Sequence, residues 1–382
     1  MSLKQIAEMT GVSISTVSRV LNNREYNCAS EEVKTRIWAA AKELQYVPNE
    51  SARALKRGAA HTDPAPHRSF AVILERFDSL DDDPFFRELF RSVEQEAFAC
   101  GCTICDVYTA TELTGGGFLE SGAIRAAKGS ISKAPDGYII LGRSTSQTLE
   151  KLKKHSKHIV SISRNPTQFE IDEIICDGKA AAARAMEFLI AKGYRRIGYI
   201  GDCSYEDRYV GYCEAMIRNS LPLDYAIILP TDQTTQSGYA AMKKLLQSHT
   251  ADAVLCANDA TAIGALRAWN EHADTQEAAA SLPSSQSGNQ SVSGPQMPRK
   301  TDIQKPTRPR TAKAQGQVPA LISIDDIHAA QEVTPALTTV HIPYEDMGKM
   351  AVKVLLDRMQ RGHTEKIRVE FPSRLVVRES CR

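Results

Sequence analysis

The sequence predicts a small all-α unit followed by an α/β core of two lobes. Three observations carry that expectation. The first two dozen of the 382 residues read as a helix, a glycine corner and a second helix. From Phe70 onward, short apolar strands alternate with amphipathic helices. Between them, His61 to His67 with Pro64 and Pro66 has the composition of a linker. Strands alternating with helices imply parallel sheets covered on both faces. About 310 residues of this pattern is too much for one sheet, so two lobes are expected.

At the amino terminus, Ser2 followed by Gln5 fits a capping box. Ile6 and Met9 recur at helical spacing on one face, with Ala7 small enough for close packing. Gly11 supplies the left-handed backbone that ends the helix. Ser13 can cap the next helix, whose Val17, Val20 and Leu21 face the first. A third helix over residues 30–44 carries Val33, Ile37, Ala40, Ala41 and Leu44 as an apolar stripe, closing a three-helix core. A helix pair with such a corner can lay its second member in the major groove of DNA. The same pair also occurs in ordinary helical domains.

In the core, strands are expected at 70–74, 103–107, 137–141, 159–162, 197–200, 253–256 and 321–324. Helices are expected at 85–100, 179–192, 205–219, 238–247, 261–269 and 344–361. Ligands in such folds sit beyond the carboxyl ends of the strands, here in the cleft between lobes.

Beyond residue 44 come Tyr46-Val47-Pro48-Asn49 and a short segment from Glu50 to Gly58. With these, the chain resembles the lactose-repressor (LacI/GalR) family of bacterial transcription regulators. The resemblance rests on Ala7, Gly11-Val12-Ser13, the run Ser15 to Asn22, Tyr46, Pro48-Asn49 and Ala52-Arg53-Ala54-Leu55. It continues through most of the remaining chain. It implies a helix-turn-helix DNA-binding domain over 1–48, a hinge helix and linker over 49–67, and an effector-binding and dimerisation core over 68–382. That core is implied to be periplasmic-binding-protein-like, two Rossmann-like subdomains with three crossings between lobes.

The resemblance also implies site residues. In the recognition helix, Ile14 and Ser15 take the positions that face base edges, and Arg19 the third such position. Arginine there can make bidentate contacts to guanine, while Ile14 offers only apolar contact, for instance to a thymine methyl. Ser13, Thr16, Ser18 and Asn22 are implied to position the helix through phosphates; for Ser18 and Asn22 plain helix-surface chemistry is the alternative. Asn49 is a good cap for a hinge helix too short to be stable alone. Leu55 matches the leucine that wedges into the minor groove, the alternative being a linker residue packed on its own lobe.

For the cleft, Asp83 and Phe86 (or Phe85) follow the first strand, where the family places first-lobe contacts. Arg208 matches the arginine that clamps effectors from the second lobe. Asn258 and Asp325 sit just past strand ends, and Tyr344 matches a further pocket aromatic, with a core role as its alternative. Paired hydroxyls suit Asp and Asn acceptors and Arg donors, so the set points to a neutral carbohydrate. Asp83-Pro84, the stretch after Cys105 and the ending EFPSRLVVRES look most like galactoside-responsive members. A co-repressor-dependent regulator of a non-sugar metabolite, or a ligand receptor without a DNA role, are the alternatives.

Composition agrees with a soluble regulator. Hydrophobic residues are 42% and charged residues 24%, and the net charge is +1. Residues 1–58 hold nine Lys/Arg against six Glu, a modestly basic balance that suits phosphate contacts. No signal peptide precedes Ser2 and no apolar run approaches the ~20 residues that span a bilayer, so a cytoplasmic protein is expected. The ending at Arg382 without a leucine heptad points to a homodimer and not a tetramer.

Several features carry less. Ala273 to Gln317 is rich in Ser, Gln, Pro, Thr and Ala, cannot offset its ordering entropy and reads as a disordered insertion. Its later part holds Arg299, Lys300, Lys305, Arg308, Arg310 and Lys313 against Asp302 alone, a solvated loop before it is a DNA contact. Cys100, Cys102 and Cys105 lack a nearby fourth ligand and read as buried free thiols, with no metal and no cofactor expected. Gly115-Gly116-Gly117 reads as a flexible turn. No Ser–His–Asp or paired-carboxylate arrangement emerges, so no enzyme is expected.

Overall fold

The computed structural model describes residues 3–21, 29–44, 68–81, 83–114, 135–204, 206–248, 251–280 and 319–381. Asn22, Asn49, Leu55, the linker at 61–67 and the triglycine at 115–117 lie outside the described residues, as does Ser2 of the capping box.

Three helices open the chain: α1 (Leu3–Thr10), α2 (Ile14–Leu21) and α3 (Glu31–Glu43). Gly11 adopts φ +69, the left-handed conformation that glycine reaches without a Cβ penalty, and its N–H bonds the Ala7 carbonyl at 2.9 Å. Ser13 caps α2 as expected, its Oγ accepting from the Thr16 N–H at 3.1 Å. Ile6, Val17, Val20, Leu21, Ile37, Ala40 and Ala41 are buried together, with Val33 and Leu44 partly buried against them. Met9 does not join this core: it is 50% exposed. Thr10 takes the inward position instead, because its Oγ1 donates to the Ile6 carbonyl at 2.7 Å and needs no solvent.

The first lobe carries β1 (Ser69–Leu74), α4 (Pro84–Ala99), β2 (Thr103–Thr109), α5 (Ala110–Thr114), β3 (Gly137–Leu141), α6 (Ser146–Leu152), β4 (Ile159–Ser163) and β5 (Asp172–Ile175). The second carries α7 (Gly178–Ala191), β6 (Ile197–Gly201), α8 (Asp207–Arg218), β7 (Ile228–Pro230), α9 (Thr235–Ser248), β8 (Ala253–Cys256), α10 (Asp259–Ala280), β9 (Ala320–Asp325), α11 (Ala329–Glu332) and β10 (Thr338–His341). Then α12 (Tyr344–Met359) returns to pack on α4, β11 (Arg368–Glu370) joins the first sheet and β12 (Arg374–Val376) the second. The two sheets run β11-β5-β4-β3-β1-β2 and β12-β10-β9-β8-β6-β7. Every pairing is parallel except β10–β12. The chain therefore crosses between lobes three times, after β5, after β10 and after β11.

All seven expected strands form. The five that sequence periodicity missed are β5, β7, β10, β11 and β12; each has three or four residues, and unlike the equally short all-apolar β8 they mix in polar residues or Pro. Part of the expected insertion is helical, and residues 281–317 lie outside the described residues. Residues 273–280 extend α10, since the Ala- and Glu-containing run DTQEAAA has good helix propensity. The thiols of Cys100, Cys102 and Cys105 are half-buried and not fully buried. Cys105 reaches the Phe70 carbonyl, and burial pushes its thiol up to about 11.

Candidate functional site

On α2, the residues named for reading bases stand outward. Ile14 is 48% exposed, and Ser15 and Arg19 are exposed, while the opposite face packs on α1 and α3. The Ser13, Ser15 and Thr16 hydroxyls form a local cluster at 2.8 Å separations, holding the first turn in one geometry. Ser18 is half-buried on the flank.

The residues expected at the cleft lie at or just past the carboxyl ends of strands in both sheets. Asp83 caps α4, its Oδ1 accepting from the N–H groups of Phe85 (3.0 Å) and Phe86 (3.4 Å). This aims both rings inward: Phe85 and Phe86 are buried, 5.2 Å apart edge to face, with Tyr344 edge-on to Phe85 at 5.9 Å. Tyr344 opens α12 and is half-buried, so its ring closes the aromatic floor where the chain crosses lobes.

Arg164, just past β4, was not singled out in the sequence. Its guanidinium lies 4.4 Å from the Phe85 centroid and 5.4 Å from that of Phe86. It also bonds Asp325 Oδ1, so a first-lobe cation and a second-lobe carboxylate meet across the cleft. Gly178, at the first crossing, lies close against both Arg164 and Arg208. A Cβ there would sit 3.0 Å from the Arg164 carbonyl and 3.2 Å from the Arg208 side chain.

Arg208 is fully buried. Glu206, which caps α8, holds it from two sides, accepting from Nε at 2.8 Å and from Nη2 at 2.7 Å. Nη1 donates to the Ala257 carbonyl, and Nη2 also reaches Gln233 Oε1 at 3.0 Å. Burial alone would raise the Glu206 carboxyl. The Arg208 charge and hydrogen bonds, with Arg164 behind them, outweigh it and hold Glu206 far below the usual carboxylate range. Arg76 approaches Glu206 at 3.9 Å from the first lobe, a second and looser pair across the cleft.

Asn258 stands at the end of β8 and is 1% exposed. Both ends of its amide are used by protein: Oδ1 accepts from the Thr261 N–H at 3.0 Å, and Nδ2 donates to the Gln233 carbonyl at 3.2 Å. Expected as a direct ligand acceptor, Asn258 is here engaged by the start of α10 and by Gln233. Gln233 itself has φ +66, and its Nε2 is buried without a partner in the described structure. A strained residue with an unused donor at a cleft wall is a ligand-facing candidate the sequence did not signal.

Asp325 has φ +134 and Asp326 φ +61. Such a corner persists only where the surroundings fix it. Asp326 is pinned by Arg378 (2.6 Å) and His341 (3.0 Å), and the Ile327 N–H bonds the buried Asp259 at 2.9 Å. Burial, reinforced by Asp83 and opposed by Arg164 and Arg208, pushes the Asp325 carboxyl up to about 6. Burial and the Asp325 charge push Asp259 up to about 7.

The comparisons with known proteins fit this geometry. Residues 2–49 match the model for bacterial regulatory proteins of the lacI family, and residues 72–345 that for periplasmic binding proteins and the sugar binding domain of the LacI family. The chain belongs to the LacI family. It is a LacI-family transcriptional regulator, a helix-turn-helix domain on a two-subdomain core. Residues 316–381 also match a periplasmic binding protein-like domain. The HTH-type transcriptional repressor MelR of Bacillus subtilis (strain 168) is 26% identical over 394 residues, covering 99% of this chain and 97% of that protein. PurR of Escherichia coli O1:K1 / APEC is 27% identical over 388 residues, covering 99% and 96%. The CelR–cellobiose complex superposes with a TM-score of 0.61 at 23% identity, covering 100% of this chain and 99% of the other. The lac repressor dimer bound to operator and the anti-inducer ONPF gives 0.58 at 20%, covering 100% and 98%. These two share the LacI-family fold. No helix among the described residues is long and apolar enough to cross a membrane.

Proposed function

We propose that this regulator is a repressor of a carbohydrate-utilisation operon, binding double-stranded operator DNA as a homodimer and responding to a sugar, in the finest form a galactoside. The observation that supports it is the pairing in one chain of an outward recognition helix with a cleft floored by Phe85, Phe86 and Tyr344 and walled by Arg208, Gln233, Asn258 and Asp325. An aromatic floor suits the apolar face of a sugar ring, and the polar wall suits its hydroxyls.

In this reading Arg19, Ile14 and Ser15 contact base edges, Ser13, Thr16, Ser18 and Asn22 contact phosphates, and Asn49 and Leu55 belong to a hinge that wedges into the operator centre. One recognition helix reads too few base pairs alone, so two half-sites are needed. The effector acts by binding one arrangement of the lobes more tightly than the other, with a coupling of ~1–3 kcal/mol.

A second reading is favoured by one observation. Arg76, Arg164 and Arg208 converge on the cleft, and among the described residues Arg76 has only a long contact to a carboxylate that Arg208 already occupies. That arrangement also suits an effector bearing a carboxylate or phosphate. Fluorescence anisotropy on the DNA upstream of its own gene, with neutral galactosides in one arm and sugar acids and sugar phosphates in the other, separates the two. A change in DNA affinity with neither class would remove both.

A further inference from the structure

Among the described residues, the amino-terminal helices meet the first lobe on α4. The Trp38 ring on α3 meets the Phe98 ring on α4 edge to face, with centroids 4.9 Å apart and planes at 80°. Phe98 packs on the three-helix core of the DNA-binding unit, and Arg91 Nη2, two turns earlier on α4, reaches Thr35 Oγ1 at 3.5 Å. The other end of the same helix lies in the cleft. Its cap is Asp83, and its first turn carries the Phe85 and Phe86 rings beneath Arg164.

We propose that the DNA-binding unit docks on α4 through Trp38 and Phe98, and that α4 carries the state of the cleft directly to the recognition helix. A helix of 16 residues spans ~24 Å and moves as one body. Two features make α4 stiff enough for this. It is packed along α12, where a Cβ on Gly348 would fall 1.7 Å from Ser92 Oγ, and the Ser92 hydroxyl bonds the Tyr344 carbonyl at 3.3 Å. Both helices also begin at the cleft, so a ligand that shifts Arg164, Phe85 or Tyr344 tilts them together. A tilt pivoting at the cleft is largest at the far end, where Phe98 meets Trp38. This route runs through described, folded elements and is additional to any hinge at residues 49–58. Its direction rests on the cleft being the effector site, whereas the docking itself does not.

The chain has two tryptophans, Trp38 and Trp269, so a Trp269→Phe protein reports Trp38 alone. In that background Phe98→Ala should at least double the acrylamide quenching constant of Trp38 while the far-ultraviolet circular dichroism stays unchanged. Unchanged quenching overturns the docking. Labelling the full chain with 5-fluorotryptophan gives the same readout by fluorine NMR with Trp269 in place, should Trp269→Phe fold poorly. The coupling is tested by a cycle. Arg164→Met, which removes the cleft cation but keeps bulk, should shift the Trp38 resonance in the Phe98 protein and leave it in place in Phe98→Ala. An equal shift in both backgrounds, or none in either, overturns the coupling. Neither arm uses an effector or an operator, so a wrong effector assignment leaves both results interpretable.

Discussion

The recognition helix and the cleft treat their polar side chains in opposite ways. On α2, Ser15 and Arg19 project into water beside an exposed Ile14. In the cleft, Arg208, Asn258 and Asp325 are each no more than 2% exposed and each already bonds to protein. The first set is open to solvent, with Ser15 tied only to the neighbouring Ser13 hydroxyl among the described residues, and the fold tolerates changes there. The second set is held by protein partners, so the ligand role proposed for it is entangled with stability. A substitution on α2 should read out as lost DNA affinity, and one in the cleft as lost ligand binding mixed with lost folding energy.

The largest consequence concerns Glu206. Glu206→Gln leaves Arg208 charged, buried and short of its partner, which should destabilise the protein by ~3–5 kcal/mol in urea unfolding. Arg208→Ala has the mirror problem, so its loss of sugar response is meaningful only alongside a folding measurement. A Glu206→Gln protein as stable as wild type would place Arg208 in water and dissolve the contrast between the two regions.

The next effect is a pH slope from the buried acids. Asp259 is pushed from 3.8 up to about 7 by burial first and by Asp325 next. A carboxyl whose folded value lies above its unfolded one contributes stability that is complete below about 4 and is lost as pH rises towards 7. Asp259→Asn removes that dependence. The melting temperature of the variant relative to wild type should therefore climb between pH 4 and 7 and flatten above. A constant difference across that window would mean that Asp259 ionises in the folded chain as it does in the unfolded one.

On the exposed side, Arg19→Ala should cost ~1–3 kcal/mol of DNA affinity and relax one position in each half-site. Its folding stability should stay within ~0.5 kcal/mol of wild type. The smallest effect belongs to Met9: exposed on α1, its change to Ser should alter stability by under ~0.5 kcal/mol in the same urea assay. A cost of ~2 kcal/mol would return Met9 to the core that its spacing predicted.

What was legible in the sequence follows from the range over which each feature is determined. The Gly11 corner, the Ser13 cap, the α3 stripe and the seven apolar strands depend on neighbours within a few residues, and each formed as expected. Met9 was expected inward and Thr10 passed over, because a threonine that satisfies its own hydroxyl within the helix behaves as an apolar residue, which hydrophobicity alone does not reveal. The cleft residues were found through resemblance. Some of their partners are local, Glu206 for Arg208, Thr261 for Asn258 and Phe85 for Asp83, but others come from distant segments: Arg164 and Asp325 are 161 positions apart, and Arg208 meets Gln233 25 positions on. No local pattern encodes such pairs. Glu206 was within reach, since a carboxylate two residues before a clamping arginine at a helix start is a capping and pairing signal.

The most direct test is a paired measurement on Arg19→Ala and Asp325→Asn, by anisotropy for the upstream DNA and calorimetry for the sugar that shifts wild-type DNA binding. The account predicts that Arg19→Ala loses DNA affinity and binds sugar as wild type does, while Asp325→Asn keeps DNA binding and loses at least tenfold in sugar affinity. Sugar binding by Asp325→Asn at wild-type strength, or unchanged DNA affinity and base preference in Arg19→Ala, would contradict it.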